Sequence, residues 1–498
     1  MKVLEDLVAP AVMSDLVSRL ISFLIERYGK RRTSSCSWVE PASRLELLAL
    51  KIHAVVDEAE QRHMGNKRSL LLWLQKLMDG MYRAYFAVDS ARHRQDDDDG
   101  LLVRPRPMKR RRTVSAGAGD DDDGRGRVVV QLSLVLASLE SATADLKDFV
   151  QLLACCPTIP RATNFRSDGN KCMFGRLVER ERIIGFLTRP DAGLGILPVV
   201  GGPEVGKGTI VKHVCDDPRV RRHFDVILYS YGSLLAASSR CIHDDVLGAF
   251  RSGGHLLHEA PVSGSGRRRH LLVIKNTYQV DIDEEAWVAV CASLGTANGS
   301  RIIVVSENDR VAELGTVEPL RVKPLRREEY WYFFRSLALG PVPEDEEHYP
   351  PGLAVLGRQI AAALHGSFFG AKVLGGLLRS NLDERFWRSM LGVVRRFQAA
   401  MLLRGGVERQ HFSKLGIARM VIKVLPTPLK LKCASQSCGP SDEFFPPAVD
   451  VQHLLRAGRV VPAGGESETA EMRVVLWESA CPPNYRYTVV CETVRMSA

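Results

Sequence analysis

Gly201-Gly202-Pro203-Glu204-Val205-Gly206-Lys207 sets glycines and a lysine at the spacing G-x-x-x-x-G-K. Glycine lets backbone wrap closely around a phosphate, so that N–H groups and the start of the next helix face the anion and the lysine reaches the β- and γ-phosphates. The candidate phosphate-binding residues are Gly201, Gly202, Val205, Gly206, Lys207, Gly208 and Thr209. The apolar run Ile196–Val200 before the loop predicts a strand, and the pattern from Lys207 to His213 predicts a helix, which is the context such a P-loop requires.

The groups that organise a metal are missing around it. A working P-loop needs Ser or Thr directly after the lysine, because that hydroxyl ligates Mg²⁺; here the residue is Gly208. Thr209 comes one position late, and a helix step of about 100° turns its hydroxyl away from the metal. The second metal element should be an apolar strand ending in Asp. The candidate, Leu271-Leu272-Val273-Ile274, runs into Lys275-Asn276. A cation there attracts a nucleotide and opposes Mg²⁺. Asp281, Asp283, Glu284 and Glu285 read as a solvated helix start. No Ser/His/Asp or Cys/His constellation suggests a catalytic residue. His213 and His365 read as packing or surface residues, and Trp287, Trp331 and Trp387 as core aromatics.

The elements that must position this loop fall into blocks. Leu4, Leu7, Val8, Val12, Leu16, Leu20, Phe23 and Leu24 share one helical face, and Leu45–Glu60 and Leu70–Arg92 repeat the pattern. Two Asp blocks, Asp96–Asp99 and Asp120–Asp123, flank a basic run from Arg104 to Arg112, so 94–126 is expected to be a disordered charged loop. Val128–Leu153 resumes helical spacing, and residues 1–93 with 127–155 are expected to form a four-helix bundle. From 173 to 320, short apolar runs at Val226–Tyr229, Leu271–Ile274 and Ile302–Val305 predict the buried strands of a doubly wound parallel sheet. Residues 321–400 return to helix. In 401–498, strand-like pieces at Met472–Trp477 and Tyr485–Val490 leave a β-rich region or a degenerate winged helix open. The fold class is multidomain, α plus α/β.

The chain has 498 residues, 45% of them hydrophobic and 25% charged, with a formal charge of +10. Size implies several domains, and composition a globular protein. Eleven cysteines without repeating spacing, and no secretory signal ahead of them, imply a reduced, cytoplasmic setting. Cys433 and Cys438 have no second ligand pair at zinc spacing. The apolar segment Leu16–Ile25 is interrupted by Arg19 and is too short to span a membrane. The positive charge is scattered apart from the run Arg104–Arg112 and Arg267–Arg269, so nucleic acid is a weak candidate partner, although Lys109–Arg112 would suit nuclear import.

With these pieces in order, the chain resembles the NB-ARC proteins of plant disease resistance, most closely grass proteins with an N-terminal coiled-coil domain. Phe174-Gly175-Arg176 is similar to the family's V-G-R motif, Gly299–Ser306 to its G-S-K-I-I-V-T-T-R strand, Leu325–Phe334 to its L-x-x-E-E-x-W-x-L-F helix, and Gly366–Ala371 to G-L-P-L-A. Trp73–Leu77 and Tyr82–Asp89 resemble the third coiled-coil helix. The resemblance implies a switch in which ADP holds a closed state and ATP an open one, with defence signalling as the output and other resistance or signalling proteins as partners of the N-terminal helices. Four departures accompany it. The strand's terminal Arg, a γ-phosphate sensor, is Glu307; the Pro near the adenine is Phe368; E-D-V-I-D is reduced to Ala87-Val88-Asp89; and no M-H-D motif or leucine-rich repeat is evident. The expected cofactor is ADP or ATP with Mg²⁺ disfavoured, in a degenerate NTPase rather than an enzyme. Two alternatives stay open: a pseudo-ATPase helper or decoy acting through its N-terminal helices, and a nuclear nucleic-acid-associated protein.

Overall fold

In a computed structural model of the chain, the described residues are 38–65, 67–101, 120–159, 174–190, 193–231, 246–261, 268–276, 283–295, 299–340, 351–403, 414–426, 428–438, 448–457, 471–479 and 485–493. The expected helix around Leu4–Leu24 and the basic run Arg104–Arg112 lie outside them.

The N-terminal helices are α1 (Val39–Glu60), α2 (Arg68–Leu101), α3 (Asp120–Thr143) and α4 (Leu146–Ala154). Leu45, Ala49, Ile52 and Val56, at three-to-four spacing on α1, meet Leu74, Leu77 and Met81 of α2 and Leu132 and Leu139 of α3 in one core. Helix enters both ends of the expected loop 94–126. Helix continues through Asp96–Asp99 to Leu101, and α3 already begins at Asp120. Extending a nucleated helix is easy, and acidic residues favour a helix N-terminus. Among the described residues no single helix is long and apolar enough to cross a membrane.

The second block runs α5 (Leu177–Leu187), β1 (Gly195–Val200), α6 (Lys207–Asp216), α7 (Pro218–His223), β2 (Val226–Tyr231), α8 (Val246–Gly253), β3 (His255–Glu259), β4 (His270–Asn276), α9 (Glu284–Gly295), β5 (Arg301–Ser306) and β6 (Leu320–Arg321). Its sheet has the order β3-β2-β4-β5-β1-β6. The four expected strands, β1, β2, β4 and β5, are parallel, as is β6, while β3, an additional strand, runs antiparallel to β2. Its partly exposed residues suit an edge, where one face and one ladder stay open. Register decides where the chemistry goes: Val200 and Asn276 both pair with Ser306. The C-terminal ends of β1, β4 and β5 are therefore level, and the residues that follow them meet at one sheet edge.

The remainder comprises α10 (Arg327–Ala338), α11 (Pro351–Ala363), α12 (Phe368–Ser380), α13 (Glu384–Leu403), α14 (Lys414–Val424), β7 (Leu429–Cys438), β8 (Ala448–Asp450), α15 (Val451–Ala457), β9 (Glu471–Glu478) and β10 (Tyr485–Thr493). The expected strand pieces are β9 and β10, in a second sheet of order β7-β10-β9-β8. The expected division at 400/401 does not divide the packing. A single core joins Phe334, Leu374 and Trp387 to Ile417, Val474 and Val489, because α12 and α14 each present an apolar stripe to the second sheet.

The bundle docks on α10 and α11 through the one acid left of the E-D-V-I-D pattern. The Tyr332 hydroxyl donates to Asp89 at 2.7 Å, and Arg358 approaches the same carboxylate at 3.4 Å. Arg358 also donates to Ser90 Oγ at 3.1 Å. Nearby, Arg326 pairs with Asp79 at 2.7 Å. Replacing Asp89 by Ala strands Arg358 and the Tyr332 hydroxyl in a half-buried seam, and is expected to cost roughly 1–3 kcal/mol and to speed proteolysis between bundle and sheet. A variant that melts and is cleaved like the wild type would show that the seam holds without this carboxylate.

Candidate functional site

β1 delivers the chain into the loop at Gly201, where a side chain has no room: a Cβ would lie 2.3 Å from the Val322 carbonyl oxygen. Gly206 closes the loop at φ 91°, a left-handed conformation that only glycine adopts cheaply, and caps the N-terminus of α6. Glu204 sits between them at φ 55°. That strain is held by its surroundings: the Ser367 hydroxyl donates to the Glu204 carboxylate, and the Phe368 N–H donates to the Glu204 carbonyl at 3.2 Å. Arg176, buried, donates to the carbonyls of Val205 at 3.1 Å and Lys323 at 2.7 Å, tying the loop to the segment after β6.

The predicted site residues divide by role. Gly201, Gly202, Gly206 and Lys207 form the cradle, and the Lys207 ammonium donates to the carbonyls of Gly201 at 2.9 Å and Gly202 at 2.5 Å. Burial lowers the Lys207 pKa, opposed by Glu307. Val205 contributes backbone only, its side chain lying fully in the core under the loop. Thr209 is exposed and lines the cavities beside the loop. At Gly208 a Cβ would sit 3.6 Å from the Tyr229 hydroxyl and 3.8 Å from Lys275 Cε. Alternation along β4 puts Lys275 on the same face as Leu271 and Val273, the face that α6 covers. His213, expected to pack or lie at the surface, is a half-buried wall residue of the larger cavity. Trp331 and Trp387 are core residues as expected.

Two chambers meet at the loop. The larger, about 790 Å³, has Phe174, Arg176, Ile210, Phe333 and Phe368 among its walls. The smaller, about 200 Å³, is lined by Lys207, Lys275 and Lys414 together with Glu204, Glu307 and Tyr485. Gly206, Thr209 and Phe368 belong to both. The larger chamber is mixed, its aromatic rings sharing the walls with Arg176, Lys212, Lys372, Arg379 and Arg456, and it meets the lysine-lined chamber at a helix N-terminus, an arrangement that suits an anionic ligand with a flat apolar part. Phe368, at the G-L-P-L-A proline position, packs 4.7 Å from Phe333 and faces Gly206.

Residues 178–340 match the NB-ARC domain family. Disease resistance protein RGA2 of Solanum bulbocastanum is 28% identical over 228 residues, 43% of this chain and 23% of that protein. Putative disease resistance protein RGA4 of the same species is 22% identical over 394 residues, covering 76% of this chain and 37% of its own length. Residues 178–340 thus carry an NB-ARC domain, and the chain is similar to plant disease-resistance proteins. It spans well under half the length of these relatives. Among solved structures, Drosophila ORC bound to DNA aligns over 56% of this chain and 73% of that one, at 13% identity and a TM-score of 0.31, a likeness too loose to bear on function.

The NB-ARC fold is a nucleotide-binding one, and the residues present fit a nucleotide: glycine cradle, lysine, helix N-terminus and aromatic chamber. They do not fit the metal that accompanies it. Position 208 has no hydroxyl, the end of β4 carries Lys275, and among the described residues no group of three His, Cys, Asp or Glu could hold an ion. Sequence reasoning passed over Glu204, Ser367, Lys414 and Tyr485. Glu204 was legible by its place inside the loop; Lys414 and Tyr485 arrive from the region whose packing carried no signal.

Electrostatics in the smaller chamber are dominated by buried lysines. Burial first, then Lys414 and Lys207, push Lys275 down to about 8, and Lys414 is lowered as well, chiefly by burial. Burial pushes Glu204 up to about 7 despite its Ser367 hydrogen bond and nearby Lys414. Since an unfolded lysine titrates near 10.4, this position binds more proton in the unfolded chain between about pH 8 and pH 10, and the Lys275 contribution to native stability rises with pH there. Below that window the folded protein carries the whole cost of the Lys275 charge. Lys275→Met is therefore expected to raise the melting temperature of nucleotide-free protein by roughly 2–5 °C at pH 7, with the gain fading towards pH 10. A lower melting temperature at both pH values would contradict this account.

Proposed function

We propose that this chain is a nucleotide-holding component of plant defence signalling that binds ADP or ATP across the two chambers and turns ATP over weakly or not at all. The observation that carries the reading is the junction at Gly206, where the cradle and helix N-terminus lie between a chamber walled by aromatic and basic side chains and a lysine-lined one. Holding is supported by Lys207 and the loop amides. Weak turnover is supported by the replacements: phosphoryl transfer depends on charge stabilisation and on a positioned metal, and Gly208, Lys275 and Glu307 occupy the positions that would supply them.

The helper reading has its own support. Leu72, Val130, Leu134 and Leu152 on α2, α3 and α4 are 50%, 59%, 67% and 52% exposed. Apolar side chains on a bundle surface suit another amphipathic helix, such as that of a second resistance-type protein. The two readings are compatible, the bundle giving the output and the loop its control.

Calorimetric titration of the full chain with ADP tests the first reading. Saturable binding is expected, weakened at least about tenfold by Lys207→Met through loss of a charge-assisted contact, with ATP hydrolysis far below about 1 s⁻¹. Absence of heat at millimolar ADP, or ATP turnover of about 1 s⁻¹ or faster that Lys207→Met abolishes, would overturn it.

A further inference from the structure

The Lys275 side chain reaches the space beside Gly208. The space a residue-208 side chain would enter, where a metal-binding hydroxyl belongs, adjoins the Lys275 stem, with Cε 3.8 Å from the would-be Cβ. Strand register brings Lys275 level with Val305, one step from Ser306 and two from Glu307, and so to the same sheet edge as the loop. Lys207 and Lys414 share the wall with Lys212 and Lys372 and with the carboxylates of Glu204 and Glu307. The carboxylates there do not form a metal site: Glu204 is tied to the Ser367 hydroxyl, and Glu307 stands exposed at the end of β5. Mg²⁺ requires near-octahedral oxygen ligands and would meet like charge at close range.

We infer that this site holds a nucleoside diphosphate without a divalent metal, the Lys275 ammonium standing in the metal's place beside Lys207 and Lys414. The inference rests on the nucleotide-holding reading above and specifies its chemistry. Three ammonium groups supply the charge that a metal supplies elsewhere, from fixed positions on β4, α6 and α14. They also explain why so much positive charge is gathered around a loop with few carboxylates: an anion there relieves repulsion among lysines that burial has already made costly. Glu307 faces the same lysines and opposes a third phosphate.

The test compares ADP binding to the full chain in excess EDTA and in excess Mg²⁺, by calorimetry. Affinity in EDTA is expected to equal or exceed that in Mg²⁺, within about a factor of two. Lys275→Met is expected to weaken binding in EDTA by about tenfold or more, while Lys275→Arg, which keeps the charge, stays within a few-fold of wild type. The pair Gly208→Ser with Lys275→Asp, which restores a hydroxyl and a carboxylate, is expected to bind ADP better with Mg²⁺ than without. Serine fits, because its Cβ would meet Tyr229 and Lys275 only at ordinary contact distance. Wild-type binding that collapses in EDTA overturns the metal-free site and leaves the nucleotide reading standing; absence of binding under both conditions overturns both. Unchanged affinity in Lys275→Met would remove Lys275 from the site. The wild-type comparison decides the metal question even if a variant misfolds.

Discussion

Lysines gathered at one sheet edge set the terms for the rest of this molecule. Lys207, Lys275 and Lys414 reach the same small chamber from the loop helix, from β4 and from α14, and burial lowers the pKa of each. Such a cluster opposes folding unless packing elsewhere more than offsets it. The offset comes from the long core that runs from α10 to β10, which holds α14 and the second sheet against the loop irrespective of charge. Tyr485 adds a direct contribution, its ring lying 3.8 Å from the Lys212 ammonium and 5.8 Å from that of Lys275.

The loop itself is held from three sides. Arg176 grips the Val205 carbonyl and the Lys323 carbonyl together, Ser367 at the start of α12 holds Glu204, and Phe368 donates its N–H to the loop and places its ring against Gly206. Glu204 and Gly206, the two left-handed residues of the loop, are thus fixed by the Ser367–Phe368 segment, and Val205 between them by Arg176. A change in the loop's backbone would have to break bonds to that segment and to Arg176 at once. Strain over-determined in this way belongs to a preorganised site rather than to a flexible turn.

Much of this was legible in sequence, for identifiable reasons. Ile196–Val200, Leu271–Ile274 and Ile302–Val305 are continuous apolar runs because the strands are buried on both faces, and that signal survives without any partner in view. The cradle was legible because the backbone geometry of phosphate binding demands glycine at fixed spacing, and Gly201 and Gly206 prove to be the positions where a side chain is excluded or strained. The edge strand β3 was not: His255-Leu256-Leu257-His258-Glu259 is short and mixed, since only one side of it is paired. Nor was the union of α10–α13 with the C-terminal sheet, because contacts such as Phe369 against Tyr487, at 5.0 Å between ring centres, join residues far apart in the chain. The chemistry of Lys414 was invisible for the same reason. Its role comes from where α14 lands, not from its neighbours in sequence.

The two chambers give an anion leverage over the arrangement as a whole. Their walls come from α6 and β4 on one side and from α12, α14, β9 and β10 on the other. A ligand in contact with both sides binds the assembled form and not one in which the second sheet has moved away, so it stabilises assembly by an amount that grows with its concentration over its dissociation constant. Without an anion, burial and the neighbouring Lys414 and Lys207 make the Lys275 charge costly, while Glu204 and Glu307 attract Lys414 and the apolar core holds α14 in place. With an anion, the same three charges become attractive contacts to a common centre. The repulsion among the lysines persists in the loaded protein, but lysine–phosphate attraction is added to it and outweighs it. Metal is unnecessary to this balance, because the phosphate charge alone supplies the attraction.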